Sequence, residues 1–197
     1  MLVERHDLVN KIKGNDRYSH FNEPDESYHG LVYSDLPLPL FTLRVRLALL
    51  RDLGATPAPF NSWLNIQGLE TLPLRMKQHS SSALAIAEFL ETHPKVSKVN
   101  YPGLKSDVNY ENAQKYLKCG FSGLLSFEVE SKETAQKIAD STDIFAVVLN
   151  IRDSKSIITH PASTTHQQLS SQELIDAGVP GGLVRLSVGL EDTQDLI

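Results

Sequence analysis

The sequence NIRDSKSIITHPASTTHQQLSSQELIDAGVPGGLVRLSVGLED, residues 150–192, decides the fold. Its β-rich run Ser156–Thr159 predicts a strand, and the run Ser171–Ala177 predicts a short helix that ends at Gly178. The apolar run Leu183–Val188 predicts a second strand. A strand, a helix and another strand in such close succession are typical of an α/β domain.

The same alternation extends upstream of this stretch. Three more strands are predicted at Val96–Tyr101, Ser122–Val129 and Ile144–Asn150. Helices are predicted between them at Glu111–Leu117 and Lys132–Ser141. With about five short strands among helices, the chain is assigned to the α/β class, as an α+β sandwich.

A long helix precedes this alternation, over residues 61–92. Its apolar residues recur at steps of three, four or seven, which places them on one helix face. Pro73 lacks an amide hydrogen and is expected to kink the helix in its first third. Pro94 lies just past the predicted end.

The two ends of the chain carry weaker signals. Residues 1–35 are polar and rich in turn formers, which favours a loop or extended arm. Leu38–Leu53 predicts a short buried helix that stops at Gly54. Glu191–Ile197 resembles the first two turns of a helix, and such a short helix is marginal by itself. We therefore expect the chain to be incomplete at its C-terminal end.

The composition excludes several classes of protein. The chain has 197 residues, of which 41% are hydrophobic and 22% charged, so a mostly disordered or low-complexity chain is excluded. The net charge is −5, from 19 basic and 24 acidic residues, which gives no electrostatic footprint for nucleic acid. No apolar stretch is long enough to predict a membrane span, and the N-terminus is too charged for a signal peptide. A cytoplasmic location is the resulting expectation.

Cysteine and histidine usage argues against metal and redox chemistry. Cys119 is the only cysteine, so an internal disulfide is excluded, and we expect a buried, inert thiol. His160 and His166 are six residues apart, a poor spacing for two ligands on one helix face. No metal site is therefore predicted.

Two segments carry unusual local chemistry. The segment HPASTTH, residues 160–166, offers three hydroxyls and two imidazoles, either as a capped turn or as a polar wall for a small ligand. Arg185 lies alone in an apolar strand, where an unpaired arginine is rarely buried. Either an internal carboxylate of Glu191 or Asp192 pairs with it, or it binds a substrate carboxylate or phosphate in two parallel hydrogen bonds. Spacing alone leaves both alternatives open.

Taken together, residues 150–170 and 182–192 resemble the C-terminal signatures of the pyridoxal-phosphate (PLP) enzymes of cysteine and methionine metabolism. Residues 23–36, 49–80 and 98–104 resemble the same family. The resemblance implies the aspartate-aminotransferase-like PLP-dependent transferase fold. It also implies that the chain has three parts: the tail of the large PLP-binding domain (1–58), a long interdomain helix (59–93) and the C-terminal small α/β domain (94–197).

The resemblance also implies roles for residues of the two segments. Arg185 is similar to the arginine that binds the substrate α-carboxylate, and Asn150 matches a position that lines the same pocket. Thr165 matches a threonine that helps to order that arginine or the substrate. Ser163 lies in the same loop as His160, where a role in stabilising the turn is equally open.

Several elements of the family pattern are missing from this sequence. Nothing matches the Ser-x-Thr-Lys segment with the Schiff-base lysine, nor the residues that cradle, stack on and pair with the cofactor. We therefore expect this chain alone neither to bind PLP covalently nor to turn over, and to start after the catalytic lysine. Arg152 also departs from the pattern, because the family usually has glycine there.

The activity that the resemblance implies is a γ-replacement. The most similar members replace the acetyl group of O-acetyl-L-homoserine with sulfide to give homocysteine, in methionine biosynthesis. A member of the cystathionine γ-synthase or methionine γ-lyase type is the alternative within the family. A non-catalytic domain that binds an amino acid or pairs with another subunit is the alternative outside it. The family also implies a homo-oligomer, a dimer or a tetramer.

Overall fold

The computed structural model describes residues 4, 5 and 7–197, and it divides into two compact units between Asn65 and Ile66. The second unit contains a five-stranded sheet in the order β1-β2-β5-β4-β3, antiparallel except for the parallel pair β3–β4. The strands are β1 (Val96–Asn100), β2 (Leu124–Val129), β3 (Ala146–Val147), β4 (Ile157–Thr159) and β5 (Leu183–Ser187). The predicted count of about five strands is confirmed.

The helices of the described residues are mostly short. They are α1 (Leu8–Ile12), α2 (Ser19–Asn22), α3 (Leu40–Arg44), α4 (Arg51–Leu53), α5 (Pro59–Glu70), α6 (Leu72–Thr92), α7 (Tyr110–Tyr116), α8 (Lys132–Asp140), α9 (Ser171–Asp176) and α10 (Thr193–Leu196). Within the part of the chain that the structure describes, no helix is both long and apolar enough to cross a membrane. The domain boundaries expected at 58/59 and 93/94 stay a prediction.

One face of the sheet forms the main core. Strand residues that alternate with Arg185 along β5, Val184 and Leu186, are buried together with Leu125 and Phe127 of β2. They join alanines of α6 and α8 in one hydrophobic cluster, and those small side chains let the helices approach the sheet closely. Helices on one face of an antiparallel sheet form the predicted α+β sandwich.

The predicted long helix is two helices in the structure. Helix α5 ends at Glu70, and α6 starts at Leu72, so that Pro73 lies in the first turn of α6. A proline is tolerated there because the amide hydrogens of a first turn have no helical partner. The predicted effect of Pro73 is confirmed as a break between two helices.

Two serines in α6 are buried in spite of their low helix propensity. Ser80 Oγ accepts from the amide of Phe121 at 2.6 Å, and Ser82 Oγ lies 2.8 Å from Thr193 Oγ1. Their hydroxyls therefore join α6 to the loop before β2 and to α10. Tertiary contacts outweigh the propensity that disfavours serine in a helix interior.

The prediction of a loop or extended arm for residues 1–35 is wrong for the described part of that range, which contains α1, α2 and three 3₁₀ turns. Phe21 and Tyr33 are almost completely buried and pack with Ile12 and Leu40. Burial, together with the hydrogen bond to Asp25 at 2.7 Å, raises the pKa of Tyr33 to about 12. Scattered aromatic residues thus build a small core without any helical or strand period.

The predicted helix at Leu38–Leu53 is present but is not buried. Residues 40–53 are helical throughout, with a π-helical turn at Val45–Leu50, and Gly54 ends the helix in the left-handed conformation (φ +62°). Most of its large apolar side chains, such as Leu49 and Leu53, are exposed in the described structure. The stop at Gly54 is confirmed, and the expected burial is wrong.

Cys119 is exposed, so the expectation of a buried thiol is wrong. The sequence pattern predicted a strand from Ser122, whereas β2 begins at Leu124. Cys119 lies in the bend between α7 and β2, and it therefore has no place on the buried face of the sheet.

Arg152 occupies a strained backbone conformation. Its φ of +62° lies in the left-handed region, which costs a non-glycine residue about 1–2 kcal/mol. Glycine avoids that cost, but the larger backbone entropy that it loses on folding costs about 0.5–1 kcal/mol relative to alanine. We expect Arg152→Gly to raise the free energy of unfolding by about 0.5–1 kcal/mol, measured by urea denaturation. Arg152→Ala keeps the Cβ and serves as the control. If alanine raised the free energy of unfolding as much as glycine does, backbone strain at this position would not be the cause.

Candidate functional site

A row of polar residues crosses the face of the sheet that points away from the core cluster. Asn100 of β1 is opposite Ser126 of β2, Ser126 is opposite Arg185 of β5, and Arg185 is opposite Thr159 of β4. Directly opposite residues of antiparallel strands project to the same side. Asn100 Nδ2 donates to Ser126 Oγ at 3.2 Å, at one end of this row.

Arg185 is held by two neighbouring oxygen atoms. Its Nη2 donates to the main-chain oxygen of Leu149 at 2.9 Å and to Thr159 Oγ1 at 3.3 Å. Thr159 Oγ1 in turn donates to the main-chain oxygen of Val148 at 2.7 Å, which fixes the hydroxyl as an acceptor for Arg185. The guanidinium is thereby oriented by neutral groups.

No carboxylate among the described residues neutralises Arg185 within 4 Å. Glu191 instead accepts from Ser156 N and Oγ at 2.7 and 2.8 Å, and Asp192 caps α10 by accepting from the amide of Gln194. The internal ion pair, one of the two alternatives for Arg185, is therefore wrong for these two acids. The half-buried guanidinium retains N–H donors for an external anion.

An open cavity of about 360 Å³ lies beside Arg185. It is lined by Asn100, Leu124, Leu125, Ser126, Pro161, Thr165, His166, Gly178, Val179, Leu183 and Arg185. Apolar walls with a few polar groups and one cation are typical of a site for a small molecule. The charge of Arg185 favours a ligand that carries a carboxylate or phosphate.

The residues predicted with Arg185 have different surroundings. Asn150 is exposed and directly follows Leu149, whose carbonyl holds Arg185. Thr165 lines the cavity, and its hydroxyl lies 2.7 Å from His166 Nδ1. Their contacts with a substrate stay a prediction.

The hydroxyl of Ser163 is engaged in the turn. Its Oγ lies 2.8 Å from Nδ1 of His160, while Nε2 of His160 lies 2.8 Å from the main-chain oxygen of Gly181. His160 is 1% exposed, so this bridge ties the turn to the segment before β5 inside the protein. The segment 160–166 is therefore both a stabilised turn and, through Thr165 and His166, one wall of the cavity.

Sequence reasoning missed the two groups that contact Arg185, Thr159 and the carbonyl of Leu149. A strand register would have placed Thr159 opposite Arg185, but the order of the strands could not be read from the pattern. Leu149 contacts Arg185 through its main-chain oxygen, and such a contact does not depend on the residue type at that position. The hydroxyl of Thr165 lies beside His166, and the role predicted for Thr165 in ordering Arg185 or the substrate stays a prediction.

These contacts lead to a test that separates the two threonines. We expect Thr159→Val to lower the free energy of unfolding by about 0.5–1.5 kcal/mol, because it removes the part-buried hydrogen bond from the buried Thr159 side chain to the Val148 carbonyl. Thr165→Val removes an exposed hydroxyl and is expected to change stability by less than about 0.5 kcal/mol. Both values can be measured by urea denaturation; equal losses would contradict a special role for Thr159.

Comparisons with known proteins identify the family of this chain. The profile described as "Cys/Met metabolism PLP-dependent enzyme" matches residues 20–197. The chain belongs to that family. The predicted resemblance is therefore confirmed, and PLP is the cofactor of the Cys/Met metabolism family.

Curated relatives within the family carry consistent names. An O-acetyl-L-homoserine sulfhydrylase of Leptospira meyeri is 49% identical over 195 residues, covering 93% of this chain and 44% of the relative. One of Corynebacterium glutamicum is 43% identical over 186 residues, covering 93% and 42%. The chain thus spans less than half the length of these Cys/Met metabolism enzymes.

A solved structure confirms the predicted fold. The crystal structure assigned to an O-acetylhomoserine (thiol)-lyase of Campylobacter jejuni matches with a TM-score of 0.88 and 52% identity, covering 98% of this chain and 46% of that one. That protein contains N'-pyridoxyl-lysine-5'-monophosphate, the cofactor joined to a lysine. None of the residues that line the cavity beside Arg185 is a lysine, so this cavity does not supply the residue to which the cofactor is joined in that protein.

Proposed function

We propose that this chain supplies the substrate-carboxylate site of a PLP-dependent O-acetyl-L-homoserine sulfhydrylase, which replaces acetate with sulfide to give homocysteine. The observation that carries this proposal is the guanidinium of Arg185, oriented by Leu149 and Thr159 and without a carboxylate partner among the described residues. The names of the relatives supply the substrate, O-acetyl-L-homoserine.

In this proposal the residues have distinct roles. Arg185 binds the α-carboxylate of the amino acid through the N–H donors of Nε and Nη1, which its contacts with Leu149 and Thr159 leave available. Asn150 follows the carbonyl that orients Arg185 and contributes to the same pocket, while Thr165 and Ser163 belong to the turn that forms its wall. The chain contributes no lysine to this cavity, so we assign it the binding of the substrate and not the covalent binding of PLP.

The proposal extends to the organisation of the whole enzyme. Residues 1–58 form the tail of the large domain, residues 59–93 the interdomain connection and residues 94–197 the small domain. We further propose that the enzyme is a homo-oligomer in the cytoplasm. The many exposed apolar side chains of α5, among them Trp63 and Leu69, support a surface that is covered in the assembly.

A titration with paired ligands tests the carboxylate site. The isotopically labelled chain is titrated with O-acetyl-L-homoserine and, separately, with its carboxamide, which lacks the negative charge. We expect shifts at the amides of residues 149–152 and at the Nε–H of Arg185 only with the carboxylate. Equal shifts with both ligands, or no shift with either, would refute the proposed site.

A further inference from the structure

The carbonyl that orients Arg185 belongs to an irregular segment. Residues 148–156 connect β3 to β4, and most of their side chains are exposed. A connection of this kind has no internal hydrogen-bond ladder, so its position depends on what it is tied to. The direction of the Arg185 guanidinium consequently depends on groups outside this segment.

The segment is hydrogen-bonded to the last residue of β5 and to the residues that follow it. The amide of Arg152 donates to Ser187 Oγ at 2.8 Å, and the amide of Leu190 donates to the main-chain oxygen of Ser154 at 2.8 Å. These two contacts fix the middle of the segment. A third contact point, at Ser156, fixes its end.

Glu191 supplies that third contact with a charged group. Its carboxylate accepts from Ser156 N at 2.7 Å and from Ser156 Oγ at 2.8 Å, while the same Oγ accepts from the amide of Gly189 at 2.8 Å. Hydrogen bonds to a charged acceptor are stronger than neutral ones. Burial by itself would raise the pKa of Glu191, yet the hydrogen bonds from Ser156 hold that pKa below its ordinary value.

The backbone of Gly189 lies close to this carboxylate and to Ser156. A Cβ on Gly189 would overlap Glu191 Oε2 and would come within 2.5 Å of Ser156 N and 2.6 Å of the Lys155 carbonyl carbon. Ser156 is completely buried. The contact between Glu191 and Ser156 is therefore closely packed on its Gly189 side, and its Ser156 side is buried.

We propose that Glu191 is a positioning residue for the substrate carboxylate. Through Ser156 it holds the segment 148–156, the segment presents the Leu149 carbonyl to Nη2 of Arg185, and Arg185 is thereby aimed at the ligand. Glu191 does not line the cavity and acts through Arg185. This inference rests on the proposed function, because it assigns Arg185 to carboxylate binding.

The variant Glu191→Gln tests the inference with little change in shape. Glutamine keeps one acceptor oxygen, but its amide NH2 is a donor at the position where Ser156 Oγ needs an acceptor. We expect the Kd for O-acetyl-L-homoserine to rise about tenfold. In the ligand-free chain, the resonances of the Leu149 amide and the Arg185 Nε–H are expected to shift, which reports orientation without any activity.

The chain contains a matched control. Glu173 accepts from Ser170 N and Oγ at 2.8 and 2.7 Å, so it makes the same pair of hydrogen bonds to one serine, at the start of α9. Glu173→Gln is expected to lower thermal stability while leaving the Kd within twofold of the unsubstituted chain. Ser156→Ala and Glu191→Gln together are expected to raise the Kd no more than either one does, because both break the same contact.

The outcomes separate this inference from the proposed function. A folded Glu191→Gln chain with an unchanged Kd and unchanged Leu149 and Arg185 resonances would refute the positioning role alone. An equal rise of the Kd in Glu173→Gln would refute it as well, because the effect would then be one of general stability. If the unsubstituted chain shows no carboxylate-dependent binding, the proposed function fails, and the positioning role fails with it.

Discussion

Replacing Arg185 with alanine is expected to weaken the binding of O-acetyl-L-homoserine by the chain about 100-fold. A hydrogen bond between the guanidinium and a charged carboxylate contributes up to about 3 kcal/mol, and each 1.4 kcal/mol corresponds to a factor of ten. The change in Kd can be measured by the same titration with labelled protein. In the proposed whole enzyme, the substitution is expected mainly to raise the KM for the amino acid.

Two further variants make the Arg185 result specific. Arg185→Lys keeps the charge but loses the planar fork, so we expect an intermediate loss of affinity. Arg75→Ala is the matched control, since Arg75 is also a half-buried arginine that donates to a main-chain oxygen, that of Gly68. A similar loss in Arg75→Ala, or an unchanged Kd in Arg185→Ala, would contradict the assignment of Arg185.

The substitution Gly182→Ala is expected to lower the free energy of unfolding by about 3 kcal/mol. A Cβ at this position would overlap the carbonyl oxygen of Val129, and the amide of Val129 donates to the carbonyl of Gly182 at 3.0 Å. Relief of the overlap requires the ends of β2 and β5 to move apart, and this pair forms the centre of the sheet. Urea denaturation followed by circular dichroism measures the loss.

Gly68→Ala makes the same chemical change as Gly182→Ala, but it is expected to stabilise the protein. Gly68 lies in α5, and no atom beyond its own helix lies within 4 Å of the position that a Cβ would occupy. Alanine is expected to stabilise that helix by about 0.5–1 kcal/mol. A loss of stability at Gly68 equal to that at Gly182 would show that the overlap with Val129 is not the cause.

Elements governed by neighbouring residues were predictable from the sequence. The predicted helix α9 begins with a capping box of neighbouring residues, because Ser170 Oγ accepts from the amide of Glu173 and the Glu173 carboxylate accepts from Ser170. Gly178 follows with a φ of +71°, as the predicted stop requires. These signals lie within a few residues of each other, and no distant contact overrides them.

The surroundings of Arg185 were not predictable in the same way. An arginine in an apolar strand indicated a partner, but Leu149 and Thr159 are brought to it by the order of the strands. Glu191 was a reasonable candidate by sequence distance, yet it pairs with Ser156 across the segment 148–156. Composition and periodicity do not contain this information, because it depends on tertiary register.

Errors of burial have a related origin. Cys119 was expected inside because cysteine is often buried, whereas the actual start of β2 leaves it in a bend. Phe21 and Tyr33 were part of a stretch without periodicity, and they nevertheless form a core with an edge-on ring contact, 6.5 Å between ring centroids. In both cases a local pattern was used to judge a property that depends on packing.

The position of β5 has a kinetic consequence. This strand is the last of the five in the chain but the central one in the sheet, and its partners on β2 are about 60 residues earlier. During synthesis, β1 and β2 emerge first, and their antiparallel pair keeps an open edge until residues 183–187 leave the ribosome. Pairing over such distances closes slowly, so this two-stranded stage is the one most prone to aggregation and to binding by chaperones.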